Sequence, residues 1–553
     1  MKSSDDGFRV AFGSPPLAGD GLRPLLLQNR QFKYTHSDRI RIYPLIPSSF
    51  VTLCHDMGMK VLFLDALAAN LNAGPFLKAL MDFRPHLIMM ETKAPVIGRH
   101  GAFIDYIRPL FPGAAMAIAG DHVTCDPAGS LKATGADFAV VGGDWDYYGA
   151  LLAYELSSIA GSAGFAHWQG SGSAGMNSSS RFDGITLPPG CYMNGSSVSE
   201  HQAIPFVENL SSLPWIKREL TGWKSYGEAY LLKPAAYILS GRGCGGRGAG
   251  DPGKCIFCVW QHTLWGCTAR LRDPQDVADE IAWLHSHYGV AEVFDDNEAG
   301  PCWDGEWLEK FASRLSARGV MGKVRYSCNA RADSLVPDRL EIMRSAGFRL
   351  LKVGLESGSD RVLSRLGKAE RVQEIIRGVK AAKDFGLNVL ITTMVGYPWE
   401  READAEKTLQ VARGLLNYRT GFGDSLQASV IVPYPGTPLW RKSIDNGWLL
   451  HDPADYEKLT MDQPALKSDL NTTEWVRRLW SLHLEPGFML KSLVSMRSIH
   501  QFGIAFRGLL SLLGHLRDYG GQSETGQPPP WLLAMRRKTD PEVEDSDYEG
   551  ASS

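Results

Sequence analysis

From Phe8 to about Leu156 short apolar runs alternate with helix-length segments. Arg9-Val10-Ala11-Phe12 runs into Gly13-Ser14-Pro15-Pro16, and Val61 to Asp65, Leu87 to Thr92, Ala115 to Gly120 and Phe138 to Gly143 follow. Short apolar runs spaced by helical stretches predict an α/β unit with a doubly wound parallel sheet. Ligands of such sheets sit beyond the carboxyl ends of the strands. The loops at Ser14, Thr92, Gly120 to Thr124 and Gly142 to Asp144 are therefore expected to line one face.

Residues 157–232 read as a linker and connecting segment, because the stretch from Ser157 to about Ser199 is rich in Gly, Ser and Ala and poor in large apolar residues. A second alternating series follows over 233–447. Its strand candidates are Ala235 to Ser240, Val290 to Asp296, Val324 to Ala330, Leu350 to Ser357, Asn388 to Pro398 and Leu426 to Pro433. The first intervening helix opens with Asp273-Pro274, an N-cap acceptor followed by proline at the first helical position, and continues with Val277, Ile281 and Leu284 at helical spacing. Six such units predict a partial (β/α)6 barrel with its chemistry at the strand C-termini. Residues 448–519 read as helical and amphipathic, with packing against the barrel favoured over a membrane surface. The tail 520–553 is Pro-rich and acidic, the composition of a disordered segment.

Charge narrows the function classes. The 553 residues carry 58 Lys plus Arg against 61 Asp plus Glu, a formal net charge of −3, which argues against a nucleic-acid partner. No apolar run is long enough to span a bilayer, the start lacks the order of a signal peptide, and the expected location is cytoplasmic. Nine cysteines are too sparse for a disulfide scaffold. Three of them, Cys244, Cys255 and Cys258, lie in one Gly-rich stretch directly after the first barrel strand. Three thiolates on such a loop suit an iron–sulfur cluster with one iron left open. A structural zinc site would need a fourth ligand, and His262 and Cys267 are near enough in sequence to keep that alternative.

Arg242-Gly243-Cys244 followed by Cys255-Ile256-Phe257-Cys258 resembles the R-G-C-xxx-C-x-F-C signature of radical S-adenosylmethionine (SAM) enzymes, whose three cysteines bind a [4Fe-4S] cluster. The family spaces its first two cysteines by three residues. Here the gap is ten, and Cys267 competes with Cys244 for the third ligand position. Phe294-Asp295-Asp296, Cys328-Asn329-Ala330-Arg331, Val353-Gly354-Leu355-Glu356-Ser357, Met394-Val395-Gly396-Tyr397-Pro398 and Pro433-Tyr434-Pro435-Gly436-Thr437 look like the family's successive strand-end motifs. By that resemblance Glu356 and Arg331 hold the polar parts of SAM, with Asp296 and Lys368 as further candidates.

The order of Ser14-Pro15-Pro16, Glu91-Thr92, Gly120-Asp121-His122-Val123-Thr124 and Val141-Gly142-Gly143-Asp144 is similar to the cobalamin-binding domain fused ahead of many radical SAM enzymes. The resemblance implies cobalamin contacts at Ser14, Thr92, Gly120, His122, Thr124, Gly142 and Gly143. The family's Asp-x-His-x-x-Gly is absent, so no histidine of that motif reaches the cobalt. A flavin-type nucleotide site is the alternative for the domain taken alone. The fusion implies a C-methyltransferase acting on an unactivated or heteroaromatic carbon of a small metabolite or natural-product intermediate. It implies a SAM-derived radical that abstracts hydrogen, cobalamin as methyl carrier, and a flavodoxin or ferredoxin type electron donor. The alternatives are a cobalamin-dependent radical SAM cyclase or oxidoreductase, and a non-enzymatic sensor with a structural cluster.

Overall fold

The computed structural model describes residues 7–17, 23–25, 32–35, 41–163, 182, 184–196, 204–244, 255–461, 463–496 and 499–519. The first sheet holds β1 (Arg9–Ser14), β2 (Lys60–Asp65), β3 (Leu87–Glu91), β4 (Ala115–Ala119), β5 (Phe138–Val140) and β6 (Cys191–Met193) in the order β2-β1-β3-β4-β5-β6. β1 to β5 are parallel, and the order reverses between β1 and β3. Alternation along the strands feeds two cores. Val10, Phe12 and Met89 pack with helices Leu45–Asp56 and Trp145–Ala163, while Ala11, Ile88 and Met90 pack with Ala73–Phe83 and Ile97–Ile107 on the other face.

β6 pairs antiparallel with β5 and lies inside the segment expected to be linker. Its Cys191 and Tyr192 are buried against the sheet, as is Phe182. Three residues between glycine turns gave no alternating signal to read. The helix Trp145–Ala163 also runs past the expected boundary at 156. Residues 164–181 of the linker and the tail 520–553 fall outside the described residues. Within 204–232 the chain ties both domains together: Arg218 is buried, donates to the Tyr237 carbonyl at 2.5 Å and lies over the Tyr43 ring.

The second sheet is the expected half-barrel. β7 (Ala235–Ile238), β8 (Glu292–Asp295), β9 (Arg325–Ala330), β10 (Phe348–Glu356), β11 (Asn388–Val395) and β12 (Ser425–Val430) lie in sequential order and all run parallel. Helix Pro274–Tyr288 is capped as the sequence implies, with the Asp273 carboxylate accepting from the Gln275 N–H. An open barrel leaves β12 with unpaired backbone groups. Side chains from the C-terminal helical region satisfy them: Trp480 Nε1 donates to the Ala428 carbonyl at 2.9 Å, and His483 Nε2 accepts from the Leu426 N–H at 3.1 Å. Helices Thr472–Ser481, Pro486–Val494 and Ile499–Asp518 thus cover the open side. Trp475, Val476, Leu479 and Phe488 are buried there, in line with the packing role expected.

Candidate functional site

Cys244 follows a two-residue antiparallel pairing of Gly241–Arg242 with Arg270–Leu271. Gly243 between them has φ +90°, and any β-carbon would collide with the Thr268 carbonyl, so only glycine makes this turn. Cys255 and Cys258 share a tight turn closed by the Cys258 N–H on the Cys255 carbonyl at 3.1 Å. Ile256 between them is pinned by backbone bonds to Leu366 and Leu439. Backbone N–H groups of Trp260 and Gln261 face the Cys258 sulfur. The residues of the ten-residue gap, 245–254, lie outside the described residues.

All three cysteines line one cavity of about 320 Å³ at the strand C-termini of the half-barrel. Cys267 does not line it; its thiol donates to the Gln261 carbonyl, and His262 Nε2 lies 3.2 Å from the Cys255 carbonyl. Among the described residues no three His, Cys, Asp or Glu side chains are gathered at metal-binding distance. Burial pushes the Cys255 thiol up to about 11, against the pull of the Lys368 cation. Burial raises Cys258 as well.

The other polar walls come from strand ends. Glu356 ends β10 with φ +57°, an uncommon conformation for a residue with a β-carbon, and the β10–β11 register shifts between Gly354 and Glu356. That kink brings its carboxylate into the cavity, 3.3 Å from Lys368 Nζ. Lys368 also donates to the Gly354 carbonyl at 2.5 Å and lies 3.4 Å from Glu370. Arg331 lines the cavity and pairs with Asp333 at 2.8 Å and Glu370 at 3.9 Å. A carboxylate, an ammonium and a guanidinium therefore face the three sulfurs.

Asp296 sits behind this wall, not in it. It is buried beside Asn329, whose amide lies at 3.5 Å, and burial raises its carboxyl to about 7 despite Lys352. Glu298, two residues on, lines the cavity instead. Its Oε2 accepts from the Gly243 N–H at 2.9 Å, its Oε1 is buried without a hydrogen-bond partner, and burial holds its carboxyl well above the usual value. Sequence reasoning missed it because the chain after β8 is an irregular loop with no period to tell which carboxylate faces inward.

The strand-end loops of the first sheet meet the second domain at Leu264, Trp265 and Tyr456, none of which lines this cavity. Gly120 has φ +126° and its α-carbon lies against the Thr92 carbonyl; the Thr92 hydroxyl is 3.0 Å from His100 Nδ1. Thr124 accepts from the Gly142 N–H at 2.9 Å, and the Gly143 N–H donates to the Leu264 carbonyl at 2.9 Å. The Trp265 ring fills the space a Gly143 side chain would need. His122 is buried, edge-on to Tyr456 at 4.5 Å, and its Nδ1 has no hydrogen-bond partner; burial lowers its imidazole, which is neutral. Ser14 ends β1, at the point where the strand order reverses.

The two domains are locked by charge. Arg242 forms a forked pair with Asp146 at 2.7 and 3.0 Å and reaches Asp144 at 2.9 Å. Arg270, on the strand paired with Arg242, binds the same Asp144 at 2.7 Å. Both carboxylates are fully buried. The arginine read from the sequence only as part of a cysteine motif is the clamp between domains.

Residues 238–412 match the family model of the radical SAM superfamily. The uncharacterized methyltransferase PH0819 of Pyrococcus horikoshii is 24% identical over 476 residues, 84% of this chain and 92% of that protein. The anaerobic magnesium-protoporphyrin IX monomethyl ester cyclase of Cereibacter sphaeroides is 25% identical over 281 residues, 50% of this chain and 42% of the relative. Among solved structures, the radical SAM methyltransferase TsrM of Kitasatospora setae, with tryptophan and a SAM analogue bound, superposes with a TM-score of 0.63 at 16% identity, covering 97% of this chain and 100% of that one. The cobalamin-dependent radical SAM enzyme OxsB, with aqua-cobalamin and SAM bound, gives 0.62 at 13% identity over 92% of this chain and 72% of its own. The radical SAM family model thus falls on the half-barrel, and the two domains together have the fold of TsrM and OxsB.

Proposed function

We propose that the protein is a cobalamin-dependent radical SAM C-methyltransferase acting on a small molecule. The observation that carries this reading is that Cys244, Cys255 and Cys258 line one cavity together with Glu356, Lys368 and Arg331. The thiol set fits a [4Fe-4S] cluster, since soft donors on a turn rich in backbone N–H groups suit iron and leave one iron open. Cobalamin would be held at the strand ends of the first domain, where the residues named for it from the sequence lie. That domain's small loop residues and the orphaned Nδ1 of His122 face a barrel side made by Trp265 and Tyr456.

When bound, the cluster, SAM and cobalamin supply the one-electron cleavage and the methyl carrier that an unactivated carbon requires. The chain's own residues bind and orient. Glu356 accepts from an amine or from ribose hydroxyls, and Arg331 donates to a carboxylate. Lys368 holds the Glu356 carboxylate in place while tying it to the Gly354 backbone. The clamp of Arg242 on Asp144 and Asp146 fixes the domain gap in which substrate, SAM and cobalamin must meet. A low-potential flavodoxin or ferredoxin supplies electrons.

Anaerobic turnover of the reconstituted protein tests the reading. A methyltransferase forms S-adenosylhomocysteine together with 5′-deoxyadenosine. Turnover that yields 5′-deoxyadenosine and no S-adenosylhomocysteine refutes methyl transfer in favour of the cyclase chemistry that the magnesium-protoporphyrin relatives carry in their name. No SAM cleavage at all would leave a sensor with a structural cluster.

A further inference from the structure

A second cavity of about 460 Å³, larger than the one at the cysteines, opens beneath the C-terminal helices. The two share the wall residues Gln427, Trp480 and His515. Trp480 and His515 stack there, 4.4 Å apart and nearly parallel. Along β11, Leu390 lines the second chamber and Thr392 and Met394 the cysteine cavity. Residues two apart on a strand face the same side. The chamber is therefore the continuation of the cysteine cavity down the barrel interior and out through the open side.

Its character differs from that of the first. Leu426, Phe488, Leu493, Ile504, Leu509 and Leu512 dominate the walls. Two of the polar groups that reach it, His483 and Asp424, are engaged within the protein. His483 lies 3.0 Å from the Trp480 carbonyl through Nδ1 and accepts from the Leu426 N–H through Nε2; the Asp424 carboxylate takes the Val389 N–H and pairs with Lys383 at 2.9 Å. A ligand with polar groups along its length would find few partners here, whereas a hydrocarbon would lose nothing but water. The mouth is apolar too. Phe502 and Phe506 line it while 57% and 62% exposed, and Leu509 and Leu513 extend the same surface. The volume falls within the ordinary range for small-molecule sites.

Resting on the radical SAM reading, we infer that this chamber receives the hydrocarbon part of the substrate, a long aliphatic or polycyclic chain that enters between the C-terminal helices. Its reactive end passes Gln427, Trp480 and His515 into the cavity of the cysteines. The substrate class is then an amphiphile or lipid-like metabolite, not a polar amino acid or nucleotide.

The test is fluorescence titration of the reconstituted full-length protein with 11-(dansylamino)undecanoate, with dansylglycine as the short-chain counterpart. Gly508 lines the chamber, and a β-carbon there meets nothing within 4 Å, so a larger side chain grows into the chamber without disturbing its own helix. Saturable binding of the long probe is expected, weakened by at least about tenfold in Gly508→Phe and by less than about twofold in Gly508→Ala. Thermal unfolding and iron content confirm that both variants are folded. Equal affinity for dansylglycine, or undiminished binding in Gly508→Phe, overturns the inference. So does co-sedimentation with phosphatidylcholine vesicles without probe binding, which assigns the apolar mouth to membrane docking. Formation of 5′-deoxyadenosine in the same samples separates the two readings. Cleavage without probe binding overturns the chamber alone, and probe binding without cleavage overturns the enzymatic reading and with it the assignment of the bound chain as substrate.

Discussion

Replacing Asp144 with Ala removes the centre of the clamp between the two domains. The carboxylate is fully buried and accepts from Arg242 at 2.9 Å, from Arg270 at 2.7 and 3.2 Å and from the Val207 N–H at 2.7 Å. Breaking a buried ion pair by removing one partner costs about 3–5 kcal/mol, because the other charge stays buried. Arg242 keeps Asp146 and Arg270 keeps the Val207 carbonyl, which favours the low end. The stranded Val207 N–H adds about 1–3 kcal/mol. The expected loss is then about 4–6 kcal/mol, or roughly 10 °C or more in unfolding midpoint at about 2–4 °C per kcal/mol for domains of this size. The dependence on pH follows from the same contacts. Burial alone would raise the Asp144 carboxyl, but Arg242 and Arg270 outweigh it and hold it below the usual 3.8. A depressed carboxyl stabilises the fold at every pH above its unfolded value and ceases to do so as pH falls through the folded value, so the difference between wild type and variant persists from neutral pH down to about 4 and closes only below it. The assay is anaerobic thermal unfolding of the reconstituted protein, with iron per chain measured in parallel, because Arg242 stands two residues before Cys244. A variant within about 1 kcal/mol of wild type at neutral pH, with full iron content, would refute the clamp; surface ion pairs contribute no more than that.

Cys258→Ala should abolish the cluster's visible absorption and all 5′-deoxyadenosine formation, whereas Cys267→Ser, outside the cavity, should retain both; equal loss in the two variants would reinstate Cys267 as a ligand. Lys368→Met leaves the Glu356 and Glu370 carboxylates without their shared ammonium, so the KM for SAM should rise about tenfold or more, with fold stability lower by about 3 kcal/mol; steady-state kinetics and denaturant unfolding separate the two effects. Glu400 is buried, accepts from the Gly396 N–H at 2.8 Å, and burial raises its carboxyl to about 7. A raised carboxyl favours the fold below its unfolded value and loses that contribution as pH climbs to the folded one, so Glu400→Gln should gain stability over wild type at pH 8, by about 3 kcal/mol at most, and no gain should remain below about pH 4.5; unfolding curves across that range check the sign.

What the sequence made legible follows from which interactions leave a period. The parallel strands did, because both faces of each sheet are buried and the runs are continuously apolar: Leu87–Glu91 and Ala115–Ala119 stand almost where their hydrophobicity places them. The cap at Asp273 did, because capping is local. The edge strand Cys191–Met193 did not, being three residues held by pairing with a strand some fifty positions earlier. Nor did the partner of Arg242, since Asp144 is 98 residues away and nothing in Gly143-Asp144-Trp145-Asp146 distinguishes a loop carboxylate from a buried one. Asp296 and Glu298 differ only in the direction a loop turns, which tertiary packing decides.

The position of Glu298 connects these pieces. Its Oε2 takes the N–H of Gly243, the residue between Arg242 of the clamp and Cys244 of the cavity, and its Oε1 is buried at the cavity wall without a partner. Burial holds that carboxyl well above its usual value. A buried polar atom of that kind is costly unless it finds a hydrogen-bond partner. Two buried contacts therefore bracket Gly243, one reaching into the first domain through Asp144 and one reaching into the cavity. Cys244 lines the same cavity as Cys255 and Cys258 across a gap of ten residues, and Arg242, two positions before it, is held by Asp144 and Asp146.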